Sequence, residues 1–359
     1  MIDYGPPPAA DEIEVTVFGP GLGEAVVVHL GEDNWILVDS CVSENGSAPA
    51  SAEYLTALGV QKDRVRAIVA THWHDDHVRA ISQLARTYIE ADFFVSGVLR
   101  EKEALAFLAT YSGRIAPGQT DGTKELVSVL QELNGKRRVK PTQSQTYLVD
   151  EKINGQNVKV SALSPLPAAN QKAAAHLAQY LVKKDQPINK APPEPSPNAA
   201  AIVLHLDFGG GDAVLLGADL EDNKVWGWSA MVADDWALKK KNAGAYKVSH
   251  HGSKSGDSDH IWTTLLTKNP VACITPFIFG RHNLPTDDDK ARIRARTNQA
   301  YICSGASRKP AIDSDQLKRL NDICTKVRRV DTGLGAVQIR KKIGADSWSI
   351  ALFGAASKL

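Results

Sequence analysis

The sequence predicts an α+β fold in which two β-sheets form a sandwich and helices flank it. Three observations predict it: the chain has two β-rich halves, helical segments are interspersed among the strands, and each half carries metal-binding residue types at strand ends. With 359 residues, 43% of them hydrophobic and 23% charged, the chain can bury a large core. We therefore expect a single domain over residues 1–359.

The first half begins with a meander of antiparallel strands. Short apolar runs alternate with turn signals, and the third run ends at Asp39-Ser40. A buried strand then leads directly into a histidine-rich segment, after which apolar residues recur at helical spacing. The predicted elements are strands over residues 13–18, 25–30, 35–38 and 66–70, with helices over 50–58 and 78–91.

The second half repeats this alternation of strands and polar loops. A proline-rich loop over residues 187–198 separates a predicted helix from the next strands. The two strand-turn-strand units at 25–39 and 201–219 are weakly similar. The predicted elements are strands over 158–163, 201–208, 213–216, 246–249, 272–278, 327–330, 336–340 and 348–353, with a helix over 168–184.

Composition indicates a cytoplasmic protein that does not associate with membranes. The formal net charge of +1 gives no global field to recruit nucleic acid or an anionic membrane. The four cysteines are scattered, as is typical of reduced thiols. The first residues lack the features of a signal peptide, and no apolar run approaches the roughly 20 residues of a membrane helix.

The segment after the strand at 66–70 carries the strongest functional signal. His72, His74, Asp76 and His77 lie within six residues, and imidazole and carboxylate are the natural ligands of zinc and similar divalent ions. Buried together without a metal, such residues would suffer desolvation and like-charge repulsion. Because histidines two apart on an extended segment project to one side, the cluster predicts metal binding, with room for a second ion at the helix start.

Two later positions are candidates for the remaining ligands. Asp219 follows the strand at 213–216, where it could bind metal or cap a helix, and spacing alone favours the cap. His250 and His251 follow another strand and precede a glycine. Adjacent histidines at such a position favour a ligand or catalytic role.

Taken together, these motifs resemble those of the metallo-β-lactamase-fold hydrolases, and within them most closely those of the ComEC-like hydrolase domains. The resemblance spans roughly residues 13–355 and implies an αββα sandwich with variable insertions near 98–145 and 168–197. It rests on five motifs: Gly19-Pro20-Gly21-Leu22-Gly23-Glu24, Leu37-Val38-Asp39-Ser40, the His72–His77 cluster, Leu215-Leu216-Gly217-Ala218-Asp219 and His250-His251-Gly252-Ser253.

The resemblance also implies a role for each motif residue, and it replaces the helix cap with a metal-bridging role for Asp219. Either member of the 250–251 pair could complete the second metal site, and His251 is favoured, with His250 facing the reacting group. Asp39 would orient a ligand from outside the coordination sphere. The implied ligands are His72 and His74 for the first ion, Asp76, His77 and His251 for the second, and Asp219 for both.

One departure from the family pattern concerns the first ion. Many members supply a further histidine from a strand end between the two halves, where this chain has Leu163-Ser164-Pro165. The first ion is therefore expected to be held more weakly. The implied cofactors are two divalent ions, zinc or, as the alternative, manganese.

The implied mechanism is hydrolysis by a metal-activated water. Asp76 would position the water and take up a proton, Arg281 would clamp a phosphate oxygen, and His282 would protonate the leaving group. We predict a phosphodiesterase or nuclease that acts on nucleic acid or a nucleotide. The alternatives are hydrolysis of a small lactone or phosphocholine ester, and a non-catalytic partner that binds metal or nucleic acid within an assembly with a separately encoded protein.

Overall fold

The fold is an αββα sandwich, as predicted. It is seen in a computed structural model that describes residues 2–42, 48–111, 122–133, 138–179, 197–279, 282–304, 315, 318–319, 323 and 333–359. Two large mixed sheets pack face to face, and helices cover the outer face of each. The predicted strand at 327–330 and much of the proline-rich loop lie outside the described residues.

The first sheet combines an antiparallel meander with parallel strands. Its strand order is β17-β16-β1-β2-β3-β4-β5-β6, antiparallel from β17 to β3 and parallel from β3 to β6. The strands are β1 (Glu12–Gly19), β2 (Ala25–His29), β3 (Trp35–Val38), β4 (Val65–Ala70), β5 (Asp92–Ser96), β6 (Val139–Thr142), β16 (Gly335–Lys342) and β17 (Ser349–Gly354).

The second sheet has the same plan, and a small hairpin of β13 and β14 follows one of its strands. Its order is β18-β15-β12-β11-β10-β9-β8-β7, antiparallel from β7 to β10 and parallel from β10 to β15. The strands are β7 (Thr146–Ile153), β8 (Gln156–Ala162), β9 (Leu204–Asp207), β10 (Ala213–Leu216), β11 (Ala243–Lys247), β12 (Leu266–Ile274), β13 (Phe277–Phe279), β14 (His282–Leu284), β15 (Ala300–Ile302) and β18 (Ser357–Lys358).

Three apolar clusters define the layers. Val15, Val28 and Ile36 of the first sheet face Val160 and Leu206 of the second in the central cluster. The outer face of the first sheet packs against α1 (Ala50–Ala57), α3 (Ile81–Thr87), α4 (Lys102–Tyr111), α5 (Gly122–Glu132) and α6 (Pro167–Ala178). The outer face of the second sheet packs against α7 (Trp228–Met231), α8 (Asp235–Leu238) and α9 (Asp287–Arg296).

The helix predicted over 78–91 is shorter, α3 (Ile81–Thr87), and a separate short helix precedes it. The short α2 (Asp75–Val78) begins inside the histidine cluster, and α3 starts after Ala80, whose φ of 61° breaks the helical path. The left-handed backbone at Ala80 carries no local sequence signal, because alanine is a strong helix former. The break lets Asp76 and His77 form their own turn, so the cluster residues are placed independently of α3.

The segment predicted as an insertion near 98–145 contributes to the helical layer. Phe107 of α4 and Leu126 of α5 are buried in the same cluster as the outer face of the first sheet. At the start of α5, a Cβ on Gly122 would lie 2.3 Å from the carbonyl oxygen of Trp73, so this helix packs directly on the histidine-rich loop. Whether the segment is an insertion stays a prediction, as does the single-domain assignment. Among the described residues, no helix reaches the length and apolarity of a membrane span.

Candidate metal centre

The predicted ligands meet at the carboxyl ends of parallel strands from both sheets. His72 follows β4 of the first sheet, whereas Asp219 and His251 follow β10 and β11 of the second. Carboxyl ends of neighbouring parallel strands lie at one edge of a sheet, and loops there converge. The two halves of the cluster, about 140 residues apart in the chain, are thus brought together by sheet packing.

Four of the predicted ligands form one buried group, here called the His77 position: Asp76, His77, Asp219 and His251. The Nε2 atom of His77 lies 3.3 Å from Asp219 Oδ2 and 3.5 Å from Asp76 Oδ2. The Nε2 atom of His251 lies 3.2 Å and 3.1 Å from the same two oxygens. Two imidazole nitrogens and two carboxylates therefore point toward a common centre, as ligands of a divalent ion do.

Several atoms of the His77 position are buried without a hydrogen bond. These are Nε2 of His77, Nε2 of His251 and Oδ1 of Asp219, in side chains that are at most 2% exposed. Buried polar groups almost always have a partner, and leaving one unpaired costs about 1–3 kcal/mol. The two unpaired Nε2 atoms both lie beside Oδ2 of Asp219, and this arrangement fits a divalent ion that would bind the two histidines and the carboxylate.

The remaining predicted ligands form a second group, here called the His72 position: His72, His74 and again Asp219. One ligand atom from each lies within 4.8 Å of the others. Nε2 of His72 is 3.1 Å from Nδ1 of His74, and the rings of His72 and His77 are 4.1 Å apart. Asp219 therefore belongs to both groups. No helix starts near it, because residues 217–227 are turns and loop before α7, so the helix-cap interpretation is wrong.

Ser164 does not complete the His72 position. Its side chain is fully buried and its hydroxyl is used twice by the backbone: it donates to the Ala201 carbonyl at 2.6 Å and accepts from the Val203 amide at 2.9 Å. A hydroxyl engaged in this way joins two loops of the second sheet. The His72 position consequently has three candidate protein ligands where the His77 position has four.

Asp39 orients the cluster, as the resemblance implied. One carboxylate oxygen accepts the Thr71 amide at 2.8 Å, and the other accepts the Thr71 hydroxyl at 2.8 Å and lies 2.7 Å from Nδ1 of His77. Binding Nδ1 of His77 leaves Nε2 as the ligand atom. Asp75, by contrast, pairs with Arg79 at 2.6 Å, which separates its role from that of its neighbour Asp76.

Two buried charged residues beside the cluster were not predicted as site residues. Glu24, from the glycine-rich motif, and Lys247, from β11, form an ion pair in which both side chains are at most 2% exposed. Gly23 just before Glu24 has a φ of +121° and would place a Cβ 2.9 Å from that of Cys41, so the loop approaches the cluster closely. The sequence feature that could have indicated a buried charge here is the lysine at the end of the otherwise uncharged strand β11.

Carboxylates give the centre a field that favours cations. Burial lowers the pKa of His72 well below its usual value, and neighbouring histidines add to this. Burial also opposes the charged forms of His77 and His251, yet the carboxylates, Asp219 foremost, raise the pKa of His77 well above its usual value and that of His251 to about 10. In turn, despite desolvation, those histidines hold the pKa of Asp219 well below its usual value.

The members of the 250–251 pair have different surroundings. His251 is buried in the His77 position, and its Nδ1 lies 3.1 Å from the Thr275 carbonyl. The side chain of His250 is 20% exposed at the rim, with Nδ1 at 2.8 Å from Ser255 Oγ. Beside it lies Asn198, whose buried Oδ1 has no hydrogen-bond partner and which was not predicted. The geometry favours His251 as the ligand and places His250 at the exposed rim of the centre.

Of the two residues predicted to contact the substrate, Arg281 and His282, the structure describes one. Arg281 lies outside the described residues. His282 is exposed on β14, lines an open cavity of about 460 Å³ with residues 283–287, and within the described part of the chain forms no hydrogen bond or ion pair with a predicted ligand. The hairpin itself touches the centre through Phe277, whose ring is 5.2 Å from that of His251. Roles for Arg281 and His282 stay predictions.

Left-handed backbone is concentrated around the centre. Four non-glycine residues near the ligands have positive φ: Asp39 at 58°, Ala218 at 44°, His250 at 47° and His251 at 53°. Such residues cost about 1–3 kcal/mol each and persist where surrounding contacts fix them, often at functional sites. Here the His250 amide donates to the Ala218 carbonyl at 2.9 Å, which links the two strained loops.

The family model described as the metallo-beta-lactamase superfamily matches residues 18–131. Solved structures with similar folds include MEM-A1, a subclass B3 metallo-beta-lactamase isolated from a soil metagenome library. It is 15% identical, with 70% of this chain and 83% of that chain covered and a TM-score of 0.36. A HARLDQ motif mutant of the Cronobacter sakazakii metallo-beta-lactamase is 16% identical, with 65% and 75% covered and a TM-score of 0.35.

At these identities and TM-scores, the solved structures say nothing about the substrate of this chain. No curated protein sequence matches it. The family match contains Glu24, Asp39 and the cluster from His72 to His77, and the second sheet supplies the other buried ligands. The family match and this cluster indicate divalent metal binding and are typical of a metal-dependent hydrolase, while the ComEC-like subgroup stays a prediction. Over residues 18–131, this chain is therefore similar to the metallo-beta-lactamase superfamily.

Proposed function

We propose that the protein is a phosphodiesterase or nuclease that uses two divalent ions, one at the His77 position and one at the His72 position. The observation that carries the proposal is the convergence of unpaired, buried ligand atoms from both sheets on the shared carboxylate of Asp219. Two-ion centres of this kind clamp both the attacking and the leaving oxygen of a displaced group. When bound, the ions would activate water and neutralise charge on the substrate.

The protein's own residues divide the remaining work. Asp76 Oδ2 lies against the Nε2 atoms of both histidines of the His77 position, where its carboxylate can take up the proton released by the attacking water. His250 at the rim, held by Ser255 through Nδ1, presents its other nitrogen near Asn198 and can donate to a substrate oxygen. Because the candidate ligands are buried, few water molecules can compete with the substrate for the ions.

The phosphodiester assignment has two supports. The segment Val248-Ser249-His250-His251-Gly252-Ser253 resembles that of the ComEC-like hydrolase domains, as stated above. The net charge of the centre agrees with it. With the histidines neutral, its buried charged groups are four carboxylates (Glu24, Asp39, Asp76 and Asp219) and one ammonium (Lys247), with a net charge of −3. Two divalent ions would change this net charge to +1. A centre with one net positive charge is complementary to a singly charged phosphodiester.

The test is a substrate panel on the purified, metal-loaded protein. We expect Zn²⁺ or Mn²⁺ to support cleavage of bis-p-nitrophenyl phosphate and of single-stranded DNA, with no turnover of a β-lactam or a lactone. The variant carrying both His74→Ala and Asp219→Ala should have background activity. Unchanged activity of that variant would refute the metal-dependent mechanism. Turnover of a lactone or phosphocholine ester alone would refute the substrate class, and tight DNA binding without turnover under either metal would favour the non-catalytic alternative.

A further inference from the structure

The ion pair between Lys247 and Glu24 lies directly behind the His77 position. Lys247 Nζ contacts Glu24 Oε2, donates to the Ala218 carbonyl at 3.3 Å, and is 3.9 Å from Asp219 Oδ1. Glu24 belongs to the first sheet's glycine-rich loop, whereas Ala218 and Asp219 belong to the second sheet. The ammonium therefore joins the two halves of the centre at the ligand they share.

Glu24 faces the histidines on the side away from their ligand atoms. Its carboxylate oxygens lie 3.5 Å from Nδ1 of His77 and 3.7 Å from Nδ1 of His251. The Nε2 atoms of both rings point instead to Asp76 and Asp219. Although one atom of Glu24 lies within 4.8 Å of ligand atoms of His77, Asp219 and His251, its place is behind the rings.

The oxygens of Glu24 are already engaged. Oε2 accepts the Thr275 hydroxyl at 2.6 Å in addition to the Lys247 ammonium. The Thr275 carbonyl in turn lies 3.1 Å from Nδ1 of His251. Glu24 thus fixes Thr275, and Thr275 fixes the ring of His251. Carboxylates placed behind metal-binding histidines orient the rings, and their loss typically lowers metal affinity about 10- to 100-fold.

From these contacts we infer that Lys247 and Glu24 act together as positioning residues of the His77 position: Glu24 orients the histidines without binding metal, and Lys247 holds Glu24 in that role. The inference rests on the proposed metal centre. Removing one member of a buried ion pair leaves an unbalanced charge, whereas removing both often costs little. In Glu24→Gln the ammonium, 3.9 Å from Asp219, would repel the incoming cation. In Lys247→Met the released carboxylate would turn toward the ion.

The experiment titrates Co²⁺ into the metal-free full-length protein, because the absorption spectrum of bound Co²⁺ reports the ligand geometry independently of hydrolysis. The variants are Glu24→Gln, Lys247→Met and the two combined. We expect Glu24→Gln to bind two ions per chain with about 10- to 100-fold weaker affinity for one. Lys247→Met should bind two ions with an altered spectrum. The double variant, which lacks the orienting carboxylate but also the unpaired ammonium, should bind the ion more tightly than Glu24→Gln and more weakly than the wild-type protein.

Three results would overturn the inference. Complete loss of one ion in Glu24→Gln would make Glu24 a ligand, and a double variant no better than Glu24→Gln would show that Lys247 is not coupled to it. A purely structural pair would lower the melting temperature of the single variants without changing the Co²⁺ spectrum, which also contradicts the inference. If the wild-type protein binds no Co²⁺, the proposed function itself fails. The double variant, free of buried unpaired charge, covers the case in which a single variant does not fold.

Discussion

The His77 position and the His72 position share Asp219 but differ in the protein that surrounds them. The first has four candidate ligands, and Asp39, Thr275 and the Glu24–Lys247 pair stand behind its histidines. The second has three, and the place of a further histidine is taken by Ser164, whose hydroxyl serves the backbone. In the proposed two-ion centre, the ion at the His77 position would therefore be held by more ligands, in fixed orientations, than the ion at the His72 position.

The largest effect should come from Asp219, the residue that belongs to both positions. Asp219→Ala removes a ligand from each and leaves His77 and His251 facing only Asp76. We expect activity to fall to background and metal content to fall below one ion per chain, measured by elemental analysis. Asp235→Ala, at an exposed acid at the start of α8, is the matched control and should retain both. Two retained ions in Asp219→Ala would contradict the shared ligand.

A smaller effect should distinguish the positions. Asp39→Asn keeps an oxygen for the Thr71 amide but loses the acceptor for Nδ1 of His77. We expect about 10- to 100-fold weaker binding of the ion at the His77 position. The ion at the His72 position should be weakened less, because Asp39 reaches His72 only through the Thr71 hydroxyl, which lies 3.0 Å from Nδ1 of His72. Competition with a coloured chelator gives both constants. The exposed Asp63→Asn is the control, and equal weakening of both ions in Asp39→Asn would remove the distinction drawn here.

Substitution of Ser164 should lower the stability of the fold without changing how much metal the protein binds. Ser164→Ala loses two hydrogen bonds and leaves the Val203 amide and the Ala201 carbonyl unpaired in the interior. We expect the free energy of unfolding in denaturant to fall by about 1–3 kcal/mol. The metal content should remain that of the wild-type protein. A change in metal content would assign Ser164 to the His72 position after all.

An effect that appears only as pH decreases concerns His29, a buried histidine outside both metal positions. Its Nδ1 lies 2.8 Å from the Glu12 carbonyl and its Nε2 accepts the Asp33 amide, and burial lowers its pKa to about 4 from 6.5. Between these pH values the unfolded chain binds a proton that the folded protein does not, so His29 makes stability fall as pH decreases, by at most about 1.4 kcal/mol per pH unit.

Unfolding curves from pH 8 to pH 4 measure this contribution. His29→Gln should flatten the pH dependence over that window, with the difference from wild type levelling off near pH 4. Identical pH profiles for the two proteins would show that His29 is protonated in the fold or does not titrate there. Metal content should be equal in both, in contrast to variants of the two metal positions.

Local patterns predicted much of the architecture and most of the centre. Apolar runs bounded by turns located β1, β2, β3 and β4, and ligand-type residues after strands located His72, His77, Asp219 and His251, because strand ends bring distant segments to one edge. The resemblance, and not spacing, chose metal binding over helix capping for Asp219.

Other features depend on packing and have no local signal. The break at Ala80 between α2 and α3 is one of them, since alanine itself favours a continuous helix. Glu24 and Lys247 come from different sheets, and only sheet packing shows that they pair. The use of Ser164 by two backbone groups likewise depends on the loop at 201–203.

The central claim is that two unequal divalent ions share Asp219, and stepwise removal of metal tests it most directly. The wild-type protein, loaded with zinc, is dialysed against increasing chelator while metal per chain and activity are measured. The account predicts two ions per chain lost in two separate steps, and a single ion with the tighter affinity in His72→Ala combined with His74→Ala. Loss of both ions in one step, or absence of bound metal in the wild-type protein, would contradict it.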